Sequence, residues 1–354
     1  MMTAFALFRL PYALQFVAVV QDEGEPQQLS SCAELSSRQG FVVAPFAPSA
    51  INPILLIHPD QVLTIPLDAD QARWEGLETR LGMVATVAGS DRQNCSETEQ
   101  GSREDYRLDF LNFHAHLTTG EFQKLVLSRR VSLPRPATSP LELFRKACER
   151  YPRMMVSLVY TPQSGMWLTA TPETLLSGSQ GQWLTVALAG TMPYSDHIVW
   201  SDKNLQEQRY VATYVIEQLE QFTDSFTERG PRTVRAGHLA HLRSDFHFTL
   251  YNNTRVGALL QALHPTPAVC GLPKHQAFRF ILDNEHHHRR YYSGFMGPLL
   301  LEGQTALYVT LRCMRFLADS VQLYAGGGLL RDSVEQQEWL ETEAKLDTMR
   351  QLLC

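Results

Sequence analysis

Residues 306–328 read ALYVTLRCMRFLADSVQLYAGGG. Two apolar runs, Ala306–Phe316 and Val321–Ala325, are parted by only four residues, and three glycines lead on to a final helical stretch. Apolar runs bounded by turn residues predict strands, and a connection this short joins antiparallel neighbours. The same texture extends upstream. Phe122–Leu133 reads as a strand with Lys124, Val126 and Ser128 on one face; Met154–Tyr160, Met166–Ala170 and Trp183–Leu188 read as further strands. Helices fall in separate blocks, at Arg107–Thr118, Pro140–Arg150 and Asn204–Phe222. In the last of these, Tyr210, Val211, Tyr214, Val215, Leu219 and Phe222 recur at helical spacing. A loop-rich stretch carries His264-Pro265-Thr266-Pro267, and Ser333 with Gln336 forms a capping-box signature for the final helix. Short strand connections with helices in blocks predict an α+β fold of large antiparallel sheets rather than βαβ alternation.

Nearer the start, Phe16–Val20, Phe41–Ala44 and Ile54–Ile57 are short strands punctuated by prolines, without a chemical constellation. We expect residues 1–106 to be a scaffold part of the fold, residues 107–354 the catalytic region, and the two to form one compact domain. Asp91–Asp105 reads as an exposed connection. The 354 residues are 44 % hydrophobic and 19 % charged, values that exclude bulk disorder and fibrous architecture. The net charge of −6 attracts neither nucleic acid nor anionic membrane, so an anion must be gathered by local cations. Cys32, Cys95, Cys148, Cys270, Cys313 and Cys354 lack a C-x-x-C pair, which favours reduced thiols in a cytoplasmic protein. Ala4–Val20, the most membrane-like stretch, is interrupted by Arg9, Pro11 and Gln15.

Several residues have chemical potential. Lys124 lies in FQKLVLS on a strand that reads as buried. Desolvation disfavours an ammonium, so a lysine there can take a proton; on an edge strand it simply points to water. Glu173, in ATPETLL, follows a strand across Pro172. Among apolar neighbours its carboxyl can donate a proton to a leaving oxygen; at an exposed turn it stays solvated. Glu338, Glu341 and Lys345 share one face of the last helix, and Glu207 shares the inward stripe of an earlier one. Three carboxylates from two helices suit Mg²⁺, yet the same residues also read as a helix N-terminal acid and a solvated Glu/Lys face. Arg312, in VTLRC, calls for a carboxylate among apolar neighbours. Gly326-Gly327-Gly328 either lets backbone N–H groups approach an anion or makes a tight turn. His286-His287-His288-Arg289-Arg290 reads as a solvated loop, and His114 and His116 diverge on a helix.

Together these segments resemble the chorismate-utilising enzymes. The resemblance covers residues from about 107 to the C-terminus and rests on FQKLVLSR (122–129), ATPETLL (170–176), LAGT (188–191) and HPTPAVCGLP (264–273). It continues through YSGFMG (292–297), TLRC (310–313), AGGGL (325–329) and EWLETEAKL (338–346). It implies a fold like anthranilate synthase component I: two large stacked antiparallel sheets, helices outside and the site in a cleft between them. Lys124 looks like the water-activating base of isochorismate and salicylate synthases, and Ala189 stands where aminodeoxychorismate synthases carry a nucleophilic lysine. The leader Pro-Thr-Pro-Ala before Val269 resembles isochorismate synthases, whereas salicylate synthases tend to carry threonine where this chain has Ala268.

The activity so implied is isochorismate synthase, isomerising chorismate with Lys124 as base and Glu173 as acid. Menaquinone biosynthesis is the expected pathway; siderophore (2,3-dihydroxybenzoate) supply, a salicylate synthase and a non-catalytic chorismate-binding paralogue are the alternatives. The resemblance further implies Mg²⁺ on Glu207, Glu338 and Glu341, and Tyr292 and Arg312 on the enolpyruvyl carboxylate. Gly190, Thr191, Gly326, Gly328 and Lys345 line the ring pocket, with His241 near the substrate. A cytoplasmic monomer, binding neither nucleic acid nor membrane, is the expected form.

Overall fold

The computed structural model describes residues 2–82, 102–250 and 253–353. Its strands form two nine-stranded sheets in which every pairing is antiparallel. Numbered along the chain, the first sheet runs β14 (Gly271–Leu272), β7 (Lys124–Pro134), β18 (Ser320–Leu329), β17 (Cys313–Phe316), β9 (Gly165–Thr171), β8 (Met155–Thr161), β1 (Ala4–Arg9), β2 (Gln15–Gln21) and β6 (Gln61–Pro66). The second runs β12 (Phe226–Ala236), β13 (Leu239–Thr249), β11 (Gln182–Pro193), β10 (Thr174–Ser179), β16 (Gln304–Val309), β15 (Phe295–Leu299), β4 (Gly40–Ala44), β5 (Ile54–Ile57) and β3 (Gln27–Leu29). Strands from the first 66 residues thus enter both sheets.

Side chains alternate across a strand, and here both faces are covered. In β1, Ala4, Ala6 and Phe8 pack toward Phe41, Val43 and Leu55 of the second sheet. Phe5 and Leu7 point the other way, into a core shared with helices α1 (Gln71–Leu81), α3 (Pro140–Arg150) and α7 (Glu335–Leu353). The outer face of the second sheet packs against α4 (Asp202–Leu219) and α5 (Val256–Leu263). Helices α2 (Arg103–Thr118) and α6 (Lys274–Asn284) close over β7. The membrane-like stretch Ala4–Val20 is therefore β1 and most of β2, apolar because it is covered on both sides. Arg9 ends β1 by donating to the carbonyls of Cys148, Tyr151 and Pro152 at 3.2, 2.6 and 2.8 Å. Its cation thereby closes the C-terminus of α3, where orphan carbonyls collect.

Several expectations are corrected. Ala306–Phe316 is not one strand: β16 belongs to the second sheet and β17 to the first, with Thr310–Arg312 carrying the chain across. Arg312 takes φ +46° to make that passage. The three glycines form no loop; β18 runs through them, opposite Ser128, Leu127 and Val126 of β7. The stretch after the fourth helix is not loop-rich throughout, since β12 and β13 form a long hairpin and α5 follows. The polar sequence of β12 hides it, because most of its residues are exposed at the sheet edge. Helix α7 begins at Glu335, and the Ser333 hydroxyl accepts from Leu330 N–H (3.0 Å) instead of completing a capping box. The His/Arg run is only partly solvated: His286 and His288 are exposed, while Arg289 is buried. Cys32, Cys148, Cys270 and Cys313 are free and buried; Cys95 and Cys354 lie outside the described residues, as does most of the expected Asp91–Asp105 connection.

Arg9→Met would remove the guanidinium donors from three carbonyls, of which those of Cys148 and Tyr151 are buried. We expect a stability loss on the order of 3 kcal/mol, read from the urea midpoint; an unchanged midpoint would show that the helix end needs no cation.

Candidate active site

A cavity lies where the two sheets and helices α4 and α7 converge. Glu173 enters it from the turn between β9 and β10, Gly190 and Thr191 from β11, Glu207 from α4 and His241 from β13. Tyr292, Arg312, Gly326, Gly328 and Lys345 complete this polar lining, with Val126, Ala189, Ala268 and Val269 as apolar wall. Lys124 stands behind the lining residues Glu207 and Gly328. Glu338 and Glu341 face the neighbouring backbone at Gly327.

Lys124 is fully buried on β7, its Nζ 2.9 Å from Glu207 Oε1 but outside hydrogen-bonding angles. Glu207 reaches it because Ser201 caps α4, accepting from Asn204 N–H, and because Glu207 lies on the stripe that also buries Val211 and Val215. Burial alone pushes the Glu207 carboxyl up, but Lys124, Lys203 and Lys345 hold it below the usual glutamate range. The ion pair needs the space that a side chain on β18 would take. A Cβ at position 328 would meet Glu207 Oε1 at 2.1 Å and Lys124 Cε at 2.8 Å, and one at 326 would meet the Tyr292 hydroxyl at 2.8 Å. Close approach by side chains, rather than turn geometry or N–H donation, explains these strand glycines.

Glu173 is buried, and burial pushes its carboxyl up to about 7 against the pull of Lys124, Lys345 and Arg312. Near neutral pH it holds or releases a proton with little bias, the state suited to a general acid. Arg312 is also buried, and its guanidinium falls to about 10, chiefly for lack of solvent. It has no carboxylate in ion-pair reach among the described residues. Its Nη2 instead donates to His241 Nε2 at 3.3 Å. His241 Nδ1 lies 3.0 Å from the Gly190 carbonyl, which can only accept, so the Nδ1–H tautomer leaves Nε2 free to receive Arg312. Burial, then the charges of Arg312 and Lys345, keep that imidazole neutral. Gly190 presents its carbonyl from a bulge in β11, at φ +71°.

The acidic side is matched by lysines. Lys345 Nζ donates to Glu341 Oε1 (2.6 Å) and to the Gly326 carbonyl (2.8 Å), and Lys203 pairs with Glu338. Lys203 sits one turn before Glu207, and sequence reasoning did not single it out; its spacing of four from Glu207 was the available signal. Glu338 is 2 % exposed, with Oε2 lacking any partner among the described residues. Burial and the nearby Glu341 raise its carboxyl against the opposing charge of Lys203. A Cβ at Gly327 would stand 3.5 Å from Glu338 Oε2 and 3.7 Å from Glu341 Oε1, so both oxygens lie against the same bare stretch of backbone. One or two carboxylates with water and substrate is a donor set that Mg²⁺ accepts, and this pair fits it. Glu207 does not converge with them: among the described residues no three acidic, histidine or cysteine groups gather to hold a metal.

Comparison with known proteins follows this geometry. A family model described as "Chorismate binding enzyme" matches residues 63–354. Isochorismate synthase MenF of Escherichia coli (strain K12) is 30 % identical over 250 residues, 67 % of this chain and 57 % of that protein. Isochorismate synthase DhbC of Bacillus subtilis (strain 168) is 31 % identical over 266 residues, 70 % of this chain and 67 % of that protein. The chain therefore spans between half and about two-thirds of the length of these relatives. The crystal structure of a putative 2,3-dihydroxybenzoate-specific isochorismate synthase from Bacillus anthracis matches with a TM-score of 0.79 at 23 % identity. That match covers 99 % of this chain and 96 % of the other, and it establishes the stacked-sheet fold.

Glu173 makes stability depend on pH. Its carboxyl titrates at about 7 when folded and near 4.5 when unfolded. The folded state therefore holds the extra proton in between; the associated stability is complete below the unfolded value and is lost as pH rises through the folded one. Glu173→Gln should match the parent in stability near pH 4 but exceed it above about pH 8, by an amount on the order of 2–3 kcal/mol, read from melting. Parallel melting profiles across that range would show that the carboxyl is not held neutral.

Proposed function

The chain belongs to the chorismate-binding enzyme family, and on that premise we propose that it is an isochorismate synthase that uses Mg²⁺. The observation that carries this reading is a buried amine and a buried carboxyl that titrates near neutrality beside one cavity, where, among the described residues, the Arg312 guanidinium has no carboxylate in ion-pair reach. In this reading Lys124, as the free amine, takes a proton from a water that attacks ring C2. Glu207, 2.9 Å away, stabilises the ammonium that forms. Glu173 gives its proton to the hydroxyl leaving C4 while the double bonds shift between them. One water enters and one leaves, so no oxidant or reductant is required.

Chorismate carries two carboxylates, and the site offers separate partners for each. Arg312, oriented by neutral His241, and the Tyr292 hydroxyl take the enolpyruvyl carboxylate. The ring and its carboxylate lie along Gly190, Thr191, Gly326, Gly328 and Lys345. Glu338 and Glu341 would hold the Mg²⁺, whose positive charge would let a dianion rest against an acidic wall, while Glu207 stays with Lys124. Ala189 places no amine at its own position in the wall to compete with water. Menaquinone synthesis is the use we propose for the product, supported by the likeness to MenF. Loss of quinone rather than of a catecholate siderophore in a deletion strain tests that assignment. No helix among the described residues is long and apolar enough to cross a membrane. We propose a monomer acting in the cytoplasm.

Incubating the purified protein with chorismate and Mg²⁺, followed by chromatography, should yield isochorismate; salicylate with pyruvate as the main products would replace the assignment by a salicylate synthase. Glu173→Gln should retain chorismate binding but lower turnover by roughly 10²–10⁴-fold, and Lys124→Ala should fall into the same range. Turnover unaffected by either change would remove that residue from the mechanism.

A further inference from the structure

Among the described residues, the edge of β7 beside the cavity lacks a full partner strand. Strand β14 is two residues long, pairing with Leu125 and Lys124, and the carbonyl of Cys270 takes Val126 N–H at 2.7 Å. Beyond that point the edge continues into the Val126 carbonyl and Ser128 N–H, both enclosed by α2 and α6. Two charged side chains serve them. Arg289 Nη2 donates to the Val126 carbonyl at 2.8 Å, and Glu285 Oε1 accepts from Ser128 N–H at 2.8 Å and from its hydroxyl at 2.7 Å.

These side chains form a closed pair with each other. Arg289 Nε and Nη2 donate to the two Glu285 oxygens at 2.7 and 2.8 Å, both residues are buried, and the guanidinium lies 4.4 Å over the Phe46 ring. The remaining nitrogen, Nη1, donates to the Val269 carbonyl at 2.7 Å. One guanidinium thus binds the carboxylate, the β7 edge and the segment bearing Ala268 and Val269. Burying two charges is costly unless their donors and acceptors are used, and here four of the five guanidinium N–H groups and both carboxylate oxygens are.

Resting on the activity proposed above, we propose that Arg289 and Glu285 are positioning residues for the substrate ring. They replace the strand that β14 does not extend and set the distance between the Val126 and Val269 walls. Val126 lies two residues from Lys124 on the same face of β7, so the pair sets wall and amine together. Neither residue lines the cavity, and neither touches the reacting atoms.

The test is steady-state kinetics on the full chain with chorismate and Mg²⁺, comparing the parent with Arg289→Lys and Ser128→Ala. A lysine keeps the charge but cannot span a carboxylate and two carbonyls. Arg289→Lys should lower kcat by about 10²-fold, while KM moves less than about threefold because Arg312 and Tyr292 are untouched. Ser128→Ala, which removes the hydroxyl's bonds to Glu285 and His287 but leaves the backbone N–H bond to Glu285, should show the same split at several-fold and decides the matter alone if Arg289→Lys does not fold. A rise in KM with kcat preserved, or both constants within about twofold of the parent in a folded variant, overturns the proposal. A parent that forms some other product defeats the assigned activity instead, and the variant-to-parent ratio on that product still tests positioning.

Discussion

A fully buried lysine and a glutamate at the cavity wall, 2.9 Å apart, set the conditions that the surrounding structure must meet. Lys124 comes from the first sheet and Glu207 from a helix packed on the second, so their meeting links the two layers. Neither charge is tolerable alone at that depth; removal of either leaves the other uncompensated. The pair also dictates what its neighbour can be. Position 328 belongs to a central strand, where a bulky residue would ordinarily stabilise the sheet, yet the smallest Cβ would overlap the carboxylate. The glycine is a local cost to the strand that the ion pair makes necessary.

The same principle orders the rest of the cavity. Lys203 and Lys345 balance Glu338 and Glu341, whereas Arg312 has only a neutral histidine and a threonine hydroxyl near it. An uncompensated guanidinium in a closed site is an anion seat, and the histidine tautomer aims it without adding charge. Glu173 differs from the other carboxyls in having no directly bonded cation, which is why burial dominates its protonation. The pocket thus separates a place for negative ligand charge from a place for proton transfer, using residues that differ mainly in what stands beside them.

Some of this is visible along the chain because the local pattern and the final environment agree. Helix α3 is framed by Ser139, Pro140 and its amphipathic repeat, and its limits match the sequence reading. The strands between 155 and 188 are apolar runs with clear breaks. Lys124, Glu173 and Glu207 were marked by being ionisable residues in apolar settings. Arg289 escaped notice because it sits among histidines and a second arginine, a setting that looks hydrated until its glutamate partner four residues earlier turns inward with it.

The sequence by itself determined the antiparallel α+β character, the helices with capped and periodic patterns, and the short set of residues fit for acid–base and anion chemistry. These follow from alternation, capping and side-chain type, which act over a few residues. Only the tertiary structure decided that Ala306–Phe316 splits between sheets at Arg312, that three glycines remain in a strand, and that Glu207 meets Lys124 while Glu338 and Glu341 stand apart. Those outcomes depend on which surfaces oppose one another across the stacked sheets. Contacts between residues far apart in the chain leave no periodic trace, because the energy that selects them exists only once the layers have closed.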